Sequence, residues 1–319
     1  MSARLVLAGN VIVDVVMRVP HLPERGGDVR ASHTVQVVGG GFNVLAAAAR
    51  LGLPAAYGGV HGTGPYGDRV RAALAGAGVP TLLPPRPDAD TGFCVALVDD
   101  GGERTFATAP GAEGTFTGRD AAGLTAVLRE GDLVQLSGYG LAYPDTAVAL
   151  ADFAAALPEG VTLCLDPGPL VADIAAGHLA RVLARCDWLS CNRREAALLT
   201  GLTDGAGATA ALARRVAPGG GVLVRGDVDG CWLAEGDAAV VHLPGRPVEA
   251  VDSNGAGDAH VGAFLALLGR GATPQEAARA ANTAASVAVT RRGPATGPTL
   301  AELADVLGPE DPLHALLVP

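Results

Sequence analysis

The chain is 319 residues long, 49% hydrophobic, and carries a formal net charge of −10. That length suits one large α/β domain, or one domain with a small appendage, and allows a sizeable core. The negative balance, with no basic block, argues against nucleic acid and anionic membrane as partners, and no apolar run reaches the ~18 residues of a membrane span.

Met1–Ala8 enters a strand with no charged leader before it, so the expectation is a cytoplasmic protein. All 23 basic residues are arginine. Lysine is absent, which excludes a P-loop with its lysine, a protein-kinase strand lysine and Schiff-base chemistry. Any phosphate binding must use backbone amides, arginine or metal. The five cysteines (Cys94, Cys164, Cys186, Cys191, Cys231) are scattered, with no C-x-x-C, so neither a disulfide frame nor a zinc site is indicated.

In chain order, Arg4–Val19 reads as a strand, a Gly9-Asn10 break and a second apolar run interrupted by Asp14. An acid inside an apolar strand lies at a solvated edge or is aimed at a ligand. His21–Arg30 is a loop, and Ser32–Val38 alternates like a strand open on one side. Gly39-Gly40-Gly41-Phe42-Asn43 then leads into an alanine-rich helix stopped by Gly52. The glycines read as a hinge, and Asn43 as a helix cap or as a donor and acceptor for a ligand.

Gly62-Thr63-Gly64-Pro65-Tyr66-Gly67 spells G-x-G-x-x-G between a weak strand and a helix from Asp68. Alone it would suggest a nicotinamide-dependent oxidoreductase. Pro65 stiffens the turn and the full βαβ frame is missing, so the match is weak. Thr91–Val98 and Glu103–Ala107, joined by Asp99–Gly102, read as a hairpin. With the earlier strands it predicts a small separate sheet from segments near residues 12–38 and 91–108. On it, Arg104 and Phe106 share one side. They face a substrate or are ordinary strand residues.

From Asp120 onward strands alternate with helices: strands at Asp132–Leu136, Val161–Asp166, Trp188–Ser190 and Val222–Arg225, helices over Asp145–Leu157 and Ala277–Val289, and a hairpin to Val241. This predicts an α/β fold, a doubly wound, mostly parallel sheet with helices on both faces. Ligands in such sheets sit beyond the carboxyl ends of the strands. Asp14, Asp166, Asn192, Gly226 and Asp258 fall within or just after strand runs, consistent with one crevice. Asn192 and Glu195 stand three apart at a helix start, as a cap with its acid or as a pair facing that crevice.

Val251–Leu268, VDSNGAGDAHVGAFLALL, carries the most chemistry. A Gly255-Ala256-Gly257 turn delivers Asp258 onto the first turn of a helix whose Val261, Phe264, Leu265 and Leu268 recur at helical spacing. Amides at a helix start favour an anion, and an acid there can take a proton from a hydroxyl. Phosphate transfer to an alcohol needs both.

Asp252-Ser253-Asn254-Gly255-Ala256-Gly257-Asp258 resembles D-[ST]-x-G-A-G-D, the C-terminal signature of the ribokinase-like, or PfkB, family of carbohydrate and nucleoside kinases. Gly39-Gly40 with Asn43 and the alanine-rich helix resembles its N-terminal signature, although Asn43 lies four residues after Gly39 where relatives often have five. The resemblance covers nearly the whole chain. It implies a ribokinase-like fold with a β lid over the sugar, ATP as donor, magnesium, and transfer to a hydroxyl, expected to be primary, of a small sugar or a nucleoside.

The resemblance also assigns roles. Asp258 would be the general base, with the amides of Asn254 to Gly257 as the anion hole, Ala256 among them. Asp14, Asn43 and one of Gly39, Gly40 and Gly41 would grip substrate hydroxyls beside Arg104. Asn192 and Glu195 would position magnesium and phosphate, Glu195 through water. Arg225, Gly226 and Gly230 would border the ATP phosphates and ribose, and Asn282 the adenine. Ala288, Arg291 and Gly293 lie in a loop that, with Asp252 and Asn254, would hold a monovalent cation such as potassium. Asp252 alternatively caps its turn, and Gly297 stands where some relatives have serine. A homodimer through the lid is compatible with the resemblance. A non-catalytic sugar sensor is a further alternative, against which intact Asp258 and Glu195 argue. No dense basic cluster lies near Asn43, which disfavours a phosphorylated sugar.

Overall fold

The computed structural model describes residues 3–318. Short apolar runs become strands: β1 (Leu5–Ala8), β4 (Ala55–Tyr57), β7 (Leu133–Ser137), β8 (Thr162–Asp166), β9 (Trp188–Asn192) and β10 (Gly221–Arg225). Most of their residues are buried, as strands covered on both faces require. With β11 (Cys231–Glu235) and β12 (Val241–Leu243) they form an eight-stranded sheet, order β12-β11-β10-β9-β8-β7-β1-β4. It is parallel from β10 to β4, and the last two strands run antiparallel.

Helices Phe42–Arg50, Ala256–Gly269 and Pro274–Val289 bury one face of the sheet, where Trp188 and Phe264 meet edge to face at 4.9 Å. Helices Pro144–Ala155, Ala176–Arg185 and Gly205–Ala213 bury the other. Reciprocal capping boxes start four helices, at Thr117/Asp120, Asn192/Glu195, Thr273/Glu276 and Thr299/Glu302.

The expected separate sheet is present. It has the order β3-β2-β5-β6, with β2 (Val11–Arg18), β3 (His33–Gly40), β5 (Phe93–Val98) and β6 (Arg104–Ala109). Asp14 of β2 sits between Val37 of β3 and Cys94 of β5. Gly39 and Gly40, read as a hinge, are instead paired strand residues opposite Ile12 and Val11. The helix expected from Asp68 starts at Pro65, whose fixed φ suits a first helical position. Gly205–Ala213 was not expected as a separate helix, because its glycine and alanine residues carry little apolar periodicity. Among the described residues no helix is long and apolar enough to cross a membrane.

Candidate active site

The helix Ala256–Gly269 opens where the sequence places it. Its N-cap, Gly255, takes φ 75°, a left-handed conformation that a side chain would strain. Asp258 follows in the first turn. Its Oδ2 accepts a 2.8 Å hydrogen bond from Asn43 Nδ2, across 215 residues of chain. Burial raises the Asp258 pKa to about 6; Asn43 works against that, and the charges of Asp166 and Asp14 add to it. The carboxyl is thus a base poised near neutral pH.

The amides beside it divide unequally. Asn254 N–H donates to Asp252 Oδ1 at 3.0 Å, and Ala256 N–H to the Ser253 carbonyl at 3.3 Å. Among the described residues Gly255, Gly257 and Asp258 N–H have no acceptor in the chain. The anion hole expected over Asn254–Gly257 therefore narrows: Asn254 and Ala256 are spent within the turn, and the free donors are Gly255, Gly257 and Asp258.

On the lid side, burial lifts the Asp14 pKa to about 6. Its carboxylate makes no hydrogen bond within the described chain, which leaves it for a ligand. A Cβ at Gly39 would stand 2.1 Å from Asp14 Oδ2. Asn43 is not a helix cap: it lies inside Phe42–Arg50, and its buried Oδ1 has no partner. A buried amide oxygen without a donor costs free energy unless a ligand supplies one.

Arg104 and Asp252 meet each other, and Asp252 caps its own turn, the second reading the sequence allowed. Arg104 turns its Nη2 onto Asp252 Oδ1 at 2.5 Å, because opposite charge lies within reach. Asp252 Oδ2 accepts from Gly293 N–H at 3.0 Å. Burial pushes the Asp252 pKa up, but the donors at Asn254, Gly293 and Arg104 outweigh it and hold the carboxyl below its ordinary value. The Arg291 side chain binds Glu302 and the Thr296 carbonyl, and its own carbonyl accepts no hydrogen bond among the described residues.

On the far side, Arg225 closes β10. Its Nη1 donates to Asp166 Oδ2 at 3.0 Å and to Ser190 Oγ at 2.8 Å, and Nη2 lies 3.8 Å from Glu195 Oε2. Asn192 and Glu195 hold each other in a capping box, with both carboxylate oxygens accepting from Asn192. The cap is formed, and Glu195 Oε2 also lies against Arg225 at the crevice. Among the described residues no three His, Cys, Asp or Glu side chains converge as a metal site. A divalent ion has no preformed cage here; magnesium at kinase sites is held largely by substrate phosphates. Gly226 N–H closes its turn on Gly230 O at 2.7 Å. Asn282 is built into the wall, donating to the Leu243 and Pro244 carbonyls and taking His260 Nε2 at 3.1 Å.

The G-x-G-x-x-G loop is closed by the chain itself. Asp90 accepts from Tyr66 N–H at 3.1 Å and Gly67 N–H at 2.7 Å, so the helix start that would take a pyrophosphate already holds a carboxylate.

The comparisons with known proteins agree with this arrangement. The model of the pfkB family carbohydrate kinases matches residues 2–300. The chain belongs to this family. Its enzyme class is that of an ATP-dependent carbohydrate kinase. It is 33% identical to an uncharacterized sugar kinase of Escherichia coli, YegV, over 94% of this chain and 92% of that one. It is equally 33% identical to an ATP-dependent ribose-1-phosphate kinase of Halopiger xanaduensis, over 93% and 95%. The fold matches a ribokinase from Giardia lamblia with a TM-score of 0.84 at 24% identity, covering 96% of this chain and 99% of that one.

Within this pfkB fold two crevice residues had no role assigned from sequence. Asp166 ends β8 and pairs with Arg225. Tyr139 follows β7 in Ser137-Gly138-Tyr139. Burial and the nearby Asp258 and Asp166 charges push its phenol pKa up, so its hydroxyl stays a donor. An aromatic directly after a parallel strand was the available signal.

Gly39→Ala tests the Asp14 contact. The new methyl meets the Asp14 carboxylate and no backbone atom among its nearest contacts, so the carboxylate must turn away. The expected result is a melting temperature near wild type with sugar KM raised at least about tenfold, the loss of one hydrogen bond to a charged group. Steady-state kinetics beside a thermal melt would show it; an unchanged sugar KM would remove Asp14 from the binding site.

Proposed function

We propose that this kinase phosphorylates a hydroxyl, primary by expectation, of a small neutral sugar, with Asp258 as general base. The observation that carries this is Asp258 on the first helical turn, next to unsatisfied amides and hydrogen-bonded to Asn43. The proton moves from the substrate hydroxyl to Asp258 Oδ, and the freed oxygen attacks the γ-phosphorus as the bond to ADP breaks. Gly255 and Gly257 amides stabilise charge on the moving phosphoryl group. Asn43 keeps Asp258 turned toward the acceptor, Asp14 accepts from a second hydroxyl, and Tyr139 offers a donor to a third oxygen. ATP lies toward Arg225 and the Gly226–Gly230 turn in this reading, and a divalent ion would neutralise charge on its phosphates.

Charge supports a neutral acceptor. Asp14 and Asp258 face the acceptor end, and the crevice arginines, Arg104 and Arg225, are each paired to a carboxylate. A sugar phosphate would meet acids without a free cation. An ATP-consumption screen across neutral sugars, sugar acids, nucleosides and ribose 1-phosphate tests this. Turnover confined to neutral sugars is the expected result. Preference for ribose 1-phosphate, the substrate in the name of the Halopiger relative, would overturn the neutral-acceptor reading, and turnover of nucleosides alone would move the substrate class.

A further inference from the structure

Arg104 opens the lid strand β6, paired there with Val98. Asp252 lies 148 positions later, in the turn that carries the anion-hole amides. Their 2.5 Å contact is the one ion pair that joins the small sheet to that turn among the described residues, and both side chains are partly exposed, at 31% and 21%. Arginine is always charged and its planar fork matches a carboxylate.

Both carboxylate oxygens of Asp252 and several carbonyls around it are already engaged, while the Asn254 and Arg291 carbonyls accept no hydrogen bond among the described residues. Asp252 Oδ1 takes Arg104 and Asn254 N–H, and Oδ2 takes Gly293 N–H. The Ala288 carbonyl accepts from Arg291 N–H and Thr296 Oγ1, each at 3.1 Å. The Gly293 carbonyl accepts from Thr296 Oγ1 at 3.2 Å, and the Gly297 carbonyl from Arg50 Nε at 2.6 Å. The Val289 carbonyl accepts from Val251 and Asp252 N–H. A carbonyl has two lone pairs and can serve a cation beside one hydrogen bond, so the deciding group is the acid. Here chain donors take both oxygens of the Asp252 carboxylate, and a guanidinium supplies its counter-charge. A carboxylate paired in this way does not fit a monovalent cation.

We infer that Arg104 is the built-in counter-cation of the anion-hole turn, in place of a bound monovalent ion, and that it ties the lid to the Gly255 and Gly257 amides. The inference rests on the kinase reading above for what the turn does. Arg104 is then a positioning residue: it acts on phosphoryl transfer through Asp252 and Asn254. Its removal should lower kcat rather than weaken sugar binding, and it should open the Asp252 carboxylate to an added ion.

The test compares potassium, sodium and tetramethylammonium chloride at fixed ionic strength. Wild-type kcat should agree within about twofold in all three, and its melting temperature should not depend on the ion. Arg104→Gln should lose about tenfold in kcat in tetramethylammonium, the worth of one charge-assisted hydrogen bond. It should recover part of that in potassium, with sugar KM within about twofold of wild type. Its melting temperature should be higher in potassium than in tetramethylammonium, and Arg104→Lys should keep most of the kcat. Several-fold activation of the wild type by potassium would overturn the inference, whatever the variants do. So would an Arg104→Gln loss that potassium does not relieve, or one confined to sugar KM, which would return Arg104 to the substrate. If no sugar supports turnover the kinase reading fails, while the melting comparison still judges the cation assignment.

Discussion

Asp258→Asn is expected to lower kcat at least about 10²-fold while ATP KM stays within about twofold. Asparagine keeps the size, the place on the helix and an acceptor for Asn43 Nδ2, and it loses only the ability to take a proton. In the wild type, kcat/KM should fall as pH drops below about 6, where Asp258 becomes protonated, and Asp14 with a similar value steepens that limb. Stability should move the opposite way to activity. The native Asp258 carboxyl holds its proton up to about pH 6, whereas the unfolded one releases it near 3.8. Between those values the native state binds more protons, so stability is lost as pH rises through about 6. At pH 7 the charged carboxylate therefore costs folding on the order of 3 kcal/mol, by the free energy of about two pKa units. Asp258→Asn removes that cost, and urea unfolding at pH 7 should show a more stable, nearly inactive protein. A variant both active and less stable would make Asp258 a structural cap.

The contrast between Asp258 and Arg104 shows what this chain discloses in one dimension. Asp252 to Asp258 is contiguous, and its glycines, acid and helix periodicity are local consequences of local residues. The turn, the position of Asp258 and the helix were therefore readable together. The lid strands were readable for a similar reason, since their alternation and the Asp99–Gly102 turn are short-range. Asn43 carried a signal too, but its bond to Asp258 spans 215 residues and no spacing rule reports it. Arg104 was placed on the right sheet, and its contact with Asp252 was not foreseen. Its contact depends on how the lid docks over the Asp252 turn, which only the tertiary structure fixes. The same holds for Asn254, whose amide looked free in sequence and is bonded two residues back. Asn192 and Glu195 were ambiguous because a capping box and a ligand pair share one spacing, and here each side chain satisfies the other.

Arg225→Met is expected to be the most destabilising single change in the crevice. The Arg225 side chain is 12% exposed, and its carboxylate neighbours Asp166 and Glu195 are 20% and 4% exposed. Burial opposes the guanidinium's charge, and Asp166 and Glu195 more than restore it, so its pKa is raised. Methionine fills much of the volume and leaves two carboxylates without their cation. Breaking a buried pair from one side costs about 3–5 kcal/mol, because the remaining charge is uncompensated. The pH dependence identifies the cause. Burial and the Asp166 charge already raise the Glu195 pKa, and Arg225 is a force that lowers it. Without Arg225 the native carboxyl titrates still higher, so the variant's extra loss grows as pH rises through that raised value and shrinks in mild acid. Urea unfolding of wild type and Arg225→Met at pH 5.5 and pH 8 should therefore give a larger difference at pH 8. The double variant Asp166→Asn with Arg225→Met should lose less than the sum of the single changes, since neutralising Asp166 removes one stranded charge. Additive losses, or a difference independent of pH, would mean that Arg225 serves the crevice through packing and its bond to Ser190 rather than through charge.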